Sequence, residues 1–115
     1  MRILSLSKQA QVKLDANGNG TASTGPSLPG EVWTPPITAS VRATTNVNEA
    51  ICTVYAGWGV DPVNFQDATT WGSTGDSDNS INIPLHPGQY VFAVWSGGDS
   101  GATATINVTG TRQVP

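Results

Sequence analysis

The chain reads as an all-β, antiparallel two-sheet sandwich or jelly roll of about seven or eight strands. Three observations predict it. Gln89–Ser96 alternates Tyr90, Phe92 and Val94 on one face with Val91, Ala93 and Trp95 on the other. Ala102–Val108 sets Ala102, Ala104, Ile106 and Val108 against Thr103, Thr105 and Asn107. A period of two over such lengths, rich in β-branched and aromatic residues, is a strand signal. Turn signals also recur every 8–12 residues or so, with no helical periodicity between them, and this favours two packed antiparallel sheets.

From the N-terminus, residues 1–8 read as an arm ahead of a single sandwich domain, 9–115. Gln9–Asp15 is a first strand with Val12 and Leu14 inward. Asn17-Gly18 then marks a tight hairpin, because both residues tolerate positive φ, and Gly20–Thr24 is the return strand. Gly25-Pro26 and Pro29-Gly30 punctuate a connection. A long strand follows from Glu31 to about Thr44, with Trp33, Ile37, Ala39 and Val41 on one face. Pro35-Pro36 interrupts it and demands an edge or a bulge, since proline donates nothing to a ladder.

Asn46–Glu49 turns the chain into Ala50–Gly57. Trp58–Asn79 is the least regular part, with one short strand expected near Thr69–Trp71. Ser80–Leu85 points Ile81, Ile83 and Leu85 inward, and His86-Pro87-Gly88 is a turn. The last two strands are expected to form a hairpin about Gly98-Asp99-Ser100-Gly101.

Composition narrows the function. A chain of 115 residues holds one domain. Only 11% of it is charged, well below the roughly 25% usual in soluble domains. Short hydroxyl and amide side chains fill the gap, and they lose little entropy when a partner covers them. Net charge is −3 and the five basic residues are scattered, so nucleic acid is not an expected partner. Nor is a membrane, for no stretch is long and apolar enough to span one. The N-terminal MRILSLSKQAQ lacks the 7–15-residue apolar core of a signal peptide. Cys52 stands alone, which excludes an internal disulfide, and reads as a small buried residue.

Three constellations bear on chemistry. Gly98-Asp99-Ser100-Gly101 matches the nucleophile signature of chymotrypsin-like proteases, but that chemistry needs an upstream His and a buried Asp. The single histidine, His86, sits in a turn at the wrong end of the adjoining strand, so no catalytic residue is assigned. Asp76-Ser77-Asp78-Asn79-Ser80 begins like a calcium loop, with Asp61 and Asp67 available to complete a different site. The twelfth position is Pro87 where an EF-hand has a bidentate Glu. Solvated loop acids suffice, and no metal or cofactor is assigned. Trp58 and Trp71 flank a segment bearing Asp61, Asn64, Gln66 and Asp67. Rings beside amides and carboxylates suit sugar stacking, and loop tryptophans equally suit a protein interface. The candidate interface is therefore Ile3, Leu4, Leu6, Trp58 and Trp71. The candidate glycan contacts are Trp58, Asp61, Asn64, Asp67 and Trp71.

The runs LDANGNGTASTGPSLPGEVWTP, VNEAICTVYAG, TTWGSTGDS and FAVWSGGDSGATATINVTGTRQV cover residues from about 8 to 114. In them the chain resembles small Gly/Thr-rich β-proteins of the virions of actinobacteria-infecting tailed phages, of the capsid decoration or minor tail protein type. The most specific pieces are Thr24-Gly25-Pro26 with Gly30-Glu31-Val32-Trp33, Tyr55-Ala56-Gly57, and Trp95-Ser96-Gly97-Gly98-Asp99. None is catalytic. The resemblance implies a non-enzymatic accessory protein on a particle's exterior, homo-oligomeric there and contacting capsid or tail proteins. Such a protein is made in the host cytoplasm and released by lysis, in keeping with the missing export signal. A module contacting host-wall carbohydrate is the alternative.

Overall fold

A computed structural model describes residues 2–45, 47–48, 50–58, 61–70 and 77–115, with side chains undescribed at 58, 61–70 and 77–79. The described residues form eight strands: β1 (Arg2–Lys13), β2 (Gly20–Thr24), β3 (Val32–Ala43), β4 (Ala50–Trp58), β5 (Asp61–Thr70), β6 (Ser77–Ile81), β7 (Gln89–Ser96) and β8 (Thr103–Val114). They make two four-stranded antiparallel sheets, ordered β1-β8-β3-β6 and β2-β7-β4-β5.

The pairing has a simple rule. β1 pairs with β8, β2 with β7, β3 with β6 and β4 with β5. This is one long hairpin, its tip between β4 and β5, wrapped so that successive strand pairs fall in alternate sheets. Pairing of β3 with β8 and of β4 with β7 closes each sheet. The winding is that of a jelly roll.

Three local expectations are corrected by it. Asn17-Gly18 and Gly98-Asp99-Ser100-Gly101 reverse the chain, but each carries it from one sheet to the other and neither closes a hairpin. Turn chemistry fixes a reversal; the partner of each strand is settled by residues almost a chain length away. The two turns instead pack on one another. The Gly98 N–H donates to the Gly18 carbonyl at 3.1 Å, and the Gly97 N–H to Asn19 Oδ1 at 3.2 Å. Gly18 has φ +77°, and a Cβ there would lie 1.9 Å from the Gly98 oxygen. Only glycine fits.

Residues 2–8 are the second correction. They are the first half of β1, in continuous register with β8 from Arg2↔Val114 to Lys13↔Thr103. Leu6 is buried in the core. A mixed apolar and polar stretch looks unpartnered only while its partner, more than 100 positions away, is out of view. The third concerns the segment read as irregular. Ten of its residues form β5 and its end begins β6.

Pro35-Pro36 lies in a central strand, and a bulge accommodates it. The β3–β8 register slips between Thr34↔Thr111 and Thr38↔Thr109. Gly110, with φ +152°, faces the bulge; a Cβ there would be 3.0 Å from the Pro36 carbonyl oxygen. Between the sheets, Trp33, Ile37, Val41, Val54, Ile81, Leu85, Val91, Trp95, Ile106 and Val108 are completely buried. Burying each aliphatic side chain contributes about 1.5–3 kcal/mol.

Candidate functional site: the outer face of the second sheet

The two outer faces differ. On the first sheet, alternation turns Ser5, Ser7, Gln9 and Gln11 of β1 outward with Thr103, Asn107, Thr109 and Thr111 of β8 and Thr34, Thr38 and Ser40 of β3. With Lys13, Arg42 and, at the N-terminal corner, exposed Ile3 on the same side, this is a mostly polar, solvated sheet face. On the second sheet the inward set of β7 is Val91, Ala93 and Trp95, yet the outward set is apolar as well. Tyr90 is 40% exposed, Val94 36%, and Ile51 on the adjacent strand 55%. The rings of Tyr90 and half-buried Phe92 meet at 5.7 Å between centroids, tilted by 55°.

Register assembles this face into rows. Tyr55, Phe92 and Ser23 are successive partners across β4, β7 and β2, and Thr53, Val94 and Thr21 form the next row. On the far side, Asn64 of β5 is the backbone partner of Tyr55 and Asp67 that of Thr53. Trp58 pairs with Asp61 where β4 gives way to β5. Four of the five candidate glycan residues thus lie along one strand pair. Trp71, the fifth, lies outside the described residues.

Of the candidate interface residues, Leu6 is core, Leu4 is half-buried and Ile3 is 68% exposed. Ile51, Tyr55, Tyr90, Phe92 and Val94 were not singled out from sequence as functional. For Tyr90, Phe92 and Val94 the signal was present in QYVFAVWS: a strand apolar on both faces is either doubly buried or needs a partner.

The remaining motifs are structural in the described residues. Asp99 accepts from the backbone N–H groups of Val47 at 3.0 Å and Asn48 at 2.8 Å, and from Asn48 Nδ2 at 3.1 Å. Its own N–H donates to Thr45 Oγ1 at 3.0 Å, and the Thr45 hydroxyl donates onward to the Asn48 carbonyl. The carboxylate ties down the 45–48 connection. Ser100 is exposed beyond one end of β7 and His86 lies beyond the other. A strand of that length separates them by about 25 Å, so the protease-like tetrapeptide has no base beside it.

Asp61 and Asp67 belong to β5 and Asp78 to β6, while Asp76 lies outside the described residues. Among the described residues no group of three or more His, Cys, Asp or Glu is placed to hold a metal, and no helix is long and apolar enough to cross a membrane.

No family model matches the chain, and no curated protein or solved structure does either.

Proposed function

We propose that this chain is an accessory structural protein of a tailed-phage particle, acting through protein contacts on the particle's exterior. One observation carries the reading: the outward face of the second sheet presents Ile51, Tyr90 and Val94 beside half-buried Phe92, while the described outward side chains of the first sheet are mostly hydroxyls and amides, with Ile3 as its large exposed aliphatic. Exposed apolar side chains grouped on one sheet face suit a macromolecular contact. The jelly roll is a fold of capsid proteins, and the sequence resemblance to actinobacteriophage virion proteins points the same way. Tyrosine and phenylalanine at the centre with serine and threonine around them make an interface core with an adaptable rim.

The test is co-sedimentation of purified protein with particles that lack it. Tyr90→Glu and Val94→Lys change outward side chains and should leave the melting temperature near wild type while abolishing incorporation. Incorporation equal to wild type in both would overturn the reading. Copy number by mass spectrometry then separates capsid, with hundreds of copies, from tail.

A second reading has its own support. The jelly roll is also a lectin fold, and the β5 positions Asn64 and Asp67 are register neighbours of Tyr55 and Thr53. Rings beside amide and carboxylate groups suit a sugar's apolar face and hydroxyls. Binding to purified wall polysaccharide, lost in Tyr55→Ala or Phe92→Ala, would put this reading first.

A further inference from the structure

Four strands end the two sheets, and three of these edges are blunted. β2 and β6 are five residues long. β5 contains Pro62, and its register with β4 steps over Phe65 in a bulge. Short edges, proline and bulges are the usual devices against strand addition. β1 has none of these three; its one defence is charge, with Lys13 on the outer face and Arg2 and Lys8 at inner-face positions, which wards off basic strands but not acidic ones. It runs twelve residues without proline, glycine or a register shift. Among the described residues nothing pairs with its outer side, so every second residue directs its N–H and C=O away from the sheet.

Two further properties specify what would pair there. β1 carries Arg2, Lys8 and Lys13, three of the five basic residues, and none of the eight acids. Arg2 and Lys8 take inner-face positions, opposite buried Val114 and Val108, and Lys13 takes the outer face opposite Thr103. The inner face is incompletely covered: the second-sheet strand lying over this edge is the short β2. Leu4, Ala10 and Val12 are consequently half-buried. A second copy of β1 would bring three cations against three, which is repulsive in the cross-strand geometry.

We infer that the free edge of β1 is a strand-addition site for an extended segment of another polypeptide, one face of which carries acids at the positions opposite Arg2 and Lys8 and apolar residues between them. Main-chain hydrogen bonds to the edge supply affinity, as in other β-augmentation complexes. The apolar residues finish covering Leu4, Ala10 and Val12, and the acids meet Arg2 and Lys8. The site is separate from the outer face of the second sheet.

The probe is a twelve-residue peptide with threonine at every second position and Val-Val-Glu-Val-Val-Glu along the other face, antiparallel to β1, with lysine in place of glutamate as control, added to the full chain. Saturable binding of the acidic peptide is expected, with slowed amide exchange confined to Arg2–Lys13. The lysine peptide should not bind. Lys8→Glu should weaken binding at least tenfold; Lys8 is exposed, so the fold should survive, and Arg2→Glu, exposed on the same face, is the backup variant. No saturable binding, protection mapping elsewhere, or unchanged affinity in both variants would overturn the inference. Concentration-dependent dimerisation with β1 amides protected in the absence of peptide would overturn it too, by making the occupant a second copy. The assay contains no particle, so its failure leaves the virion reading untouched.

Discussion

Arg112 on β8 reaches Glu31, just ahead of β3, with Nη1 2.7 Å from Oε2. The Glu31 carboxylate is almost wholly buried, and its other oxygen accepts from the backbone N–H groups of Ser27 at 3.0 Å and Leu28 at 3.4 Å. One side chain thus ties the Ser27–Gly30 turn to the centre of the first sheet. Burial is the largest influence on Glu31 and raises its pKa. The hydrogen bonds from Arg112, Ser27 and Leu28, with the charge of Arg112, together outweigh it and leave the carboxyl below its ordinary value.

A carboxyl with a depressed folded pKa stabilises the fold fully above its ordinary value, and that stability is lost as pH falls through the folded value. Thermal melts should therefore drop more steeply in wild type than in Glu31→Gln as pH falls through and below the ordinary carboxyl range. At pH 7 Glu31→Ala should cost about 3–5 kcal/mol, because it strands Arg112 and two backbone donors. Equal pH slopes in wild type and Glu31→Gln would refute the assignment.

Trp33 tests the core. It is completely buried on β3, and its backbone exchanges hydrogen bonds with Leu85 at 2.9 and 3.0 Å. Its indole N–H, like that of Trp95, finds no acceptor among the described residues. Trp33→Ala should cost about 3–5 kcal/mol. Trp33→Phe should cost much less, because it removes a buried unsatisfied donor along with some volume. Denaturant melts of the two variants decide it.

Cys52 should be inert in the folded protein. Burial pushes its thiol up to about 12, little offset by a backbone hydrogen bond at Val94. The thiolate is the reactive form, so a disulfide reagent at pH 8 should label Cys52 only at the rate of unfolding. Rapid labelling of native protein would show that β4 opens.

Asp99 and Ser100 separate two readings of one tetrapeptide. Asp99→Ala removes three hydrogen bonds to the 45–48 connection, and should cost about 1.5–3 kcal/mol. Ser100→Ala, at an exposed turn position, should stay within about 0.5 kcal/mol. A hydrolytic activity that depended on Ser100 would reverse this reading.

What the residues disclose locally came through, and what depends on distant partners did not. The alternation in Gln89–Ser96 and Ala102–Val108 marks β7 and β8, and the proline pair marks the bulge. Glu31 stands in one of the three most specific runs of the sequence, but nothing local shows that Arg112, 81 positions on, is its partner. The same blindness made hairpins of two turns that cross between sheets. The outward row of Tyr90, Phe92 and Val94 was visible, but which face looked outward was not. That depends on Trp95 and Val91 finding the first sheet.

The N-terminal segment gives the sharpest reversal. Read as an arm, residues 1–7 should be removable without loss of the fold. Paired along β8, they are part of it. Leu6 is 3% exposed within the core while Ile3, three residues earlier, is 68% exposed. Leu6→Ala should therefore cost about 2–5 kcal/mol, and Ile3→Ser should change stability by no more than about 0.5 kcal/mol. Deleting residues 1–7 removes Leu6 and strips half the ladder from β8, leaving Thr109–Val114 as a new edge on that side. The truncated chain should melt well below wild type or fail to fold, as read by circular dichroism. A truncation that melts with wild type would restore the arm and remove β1 as a strand-addition site over its first half.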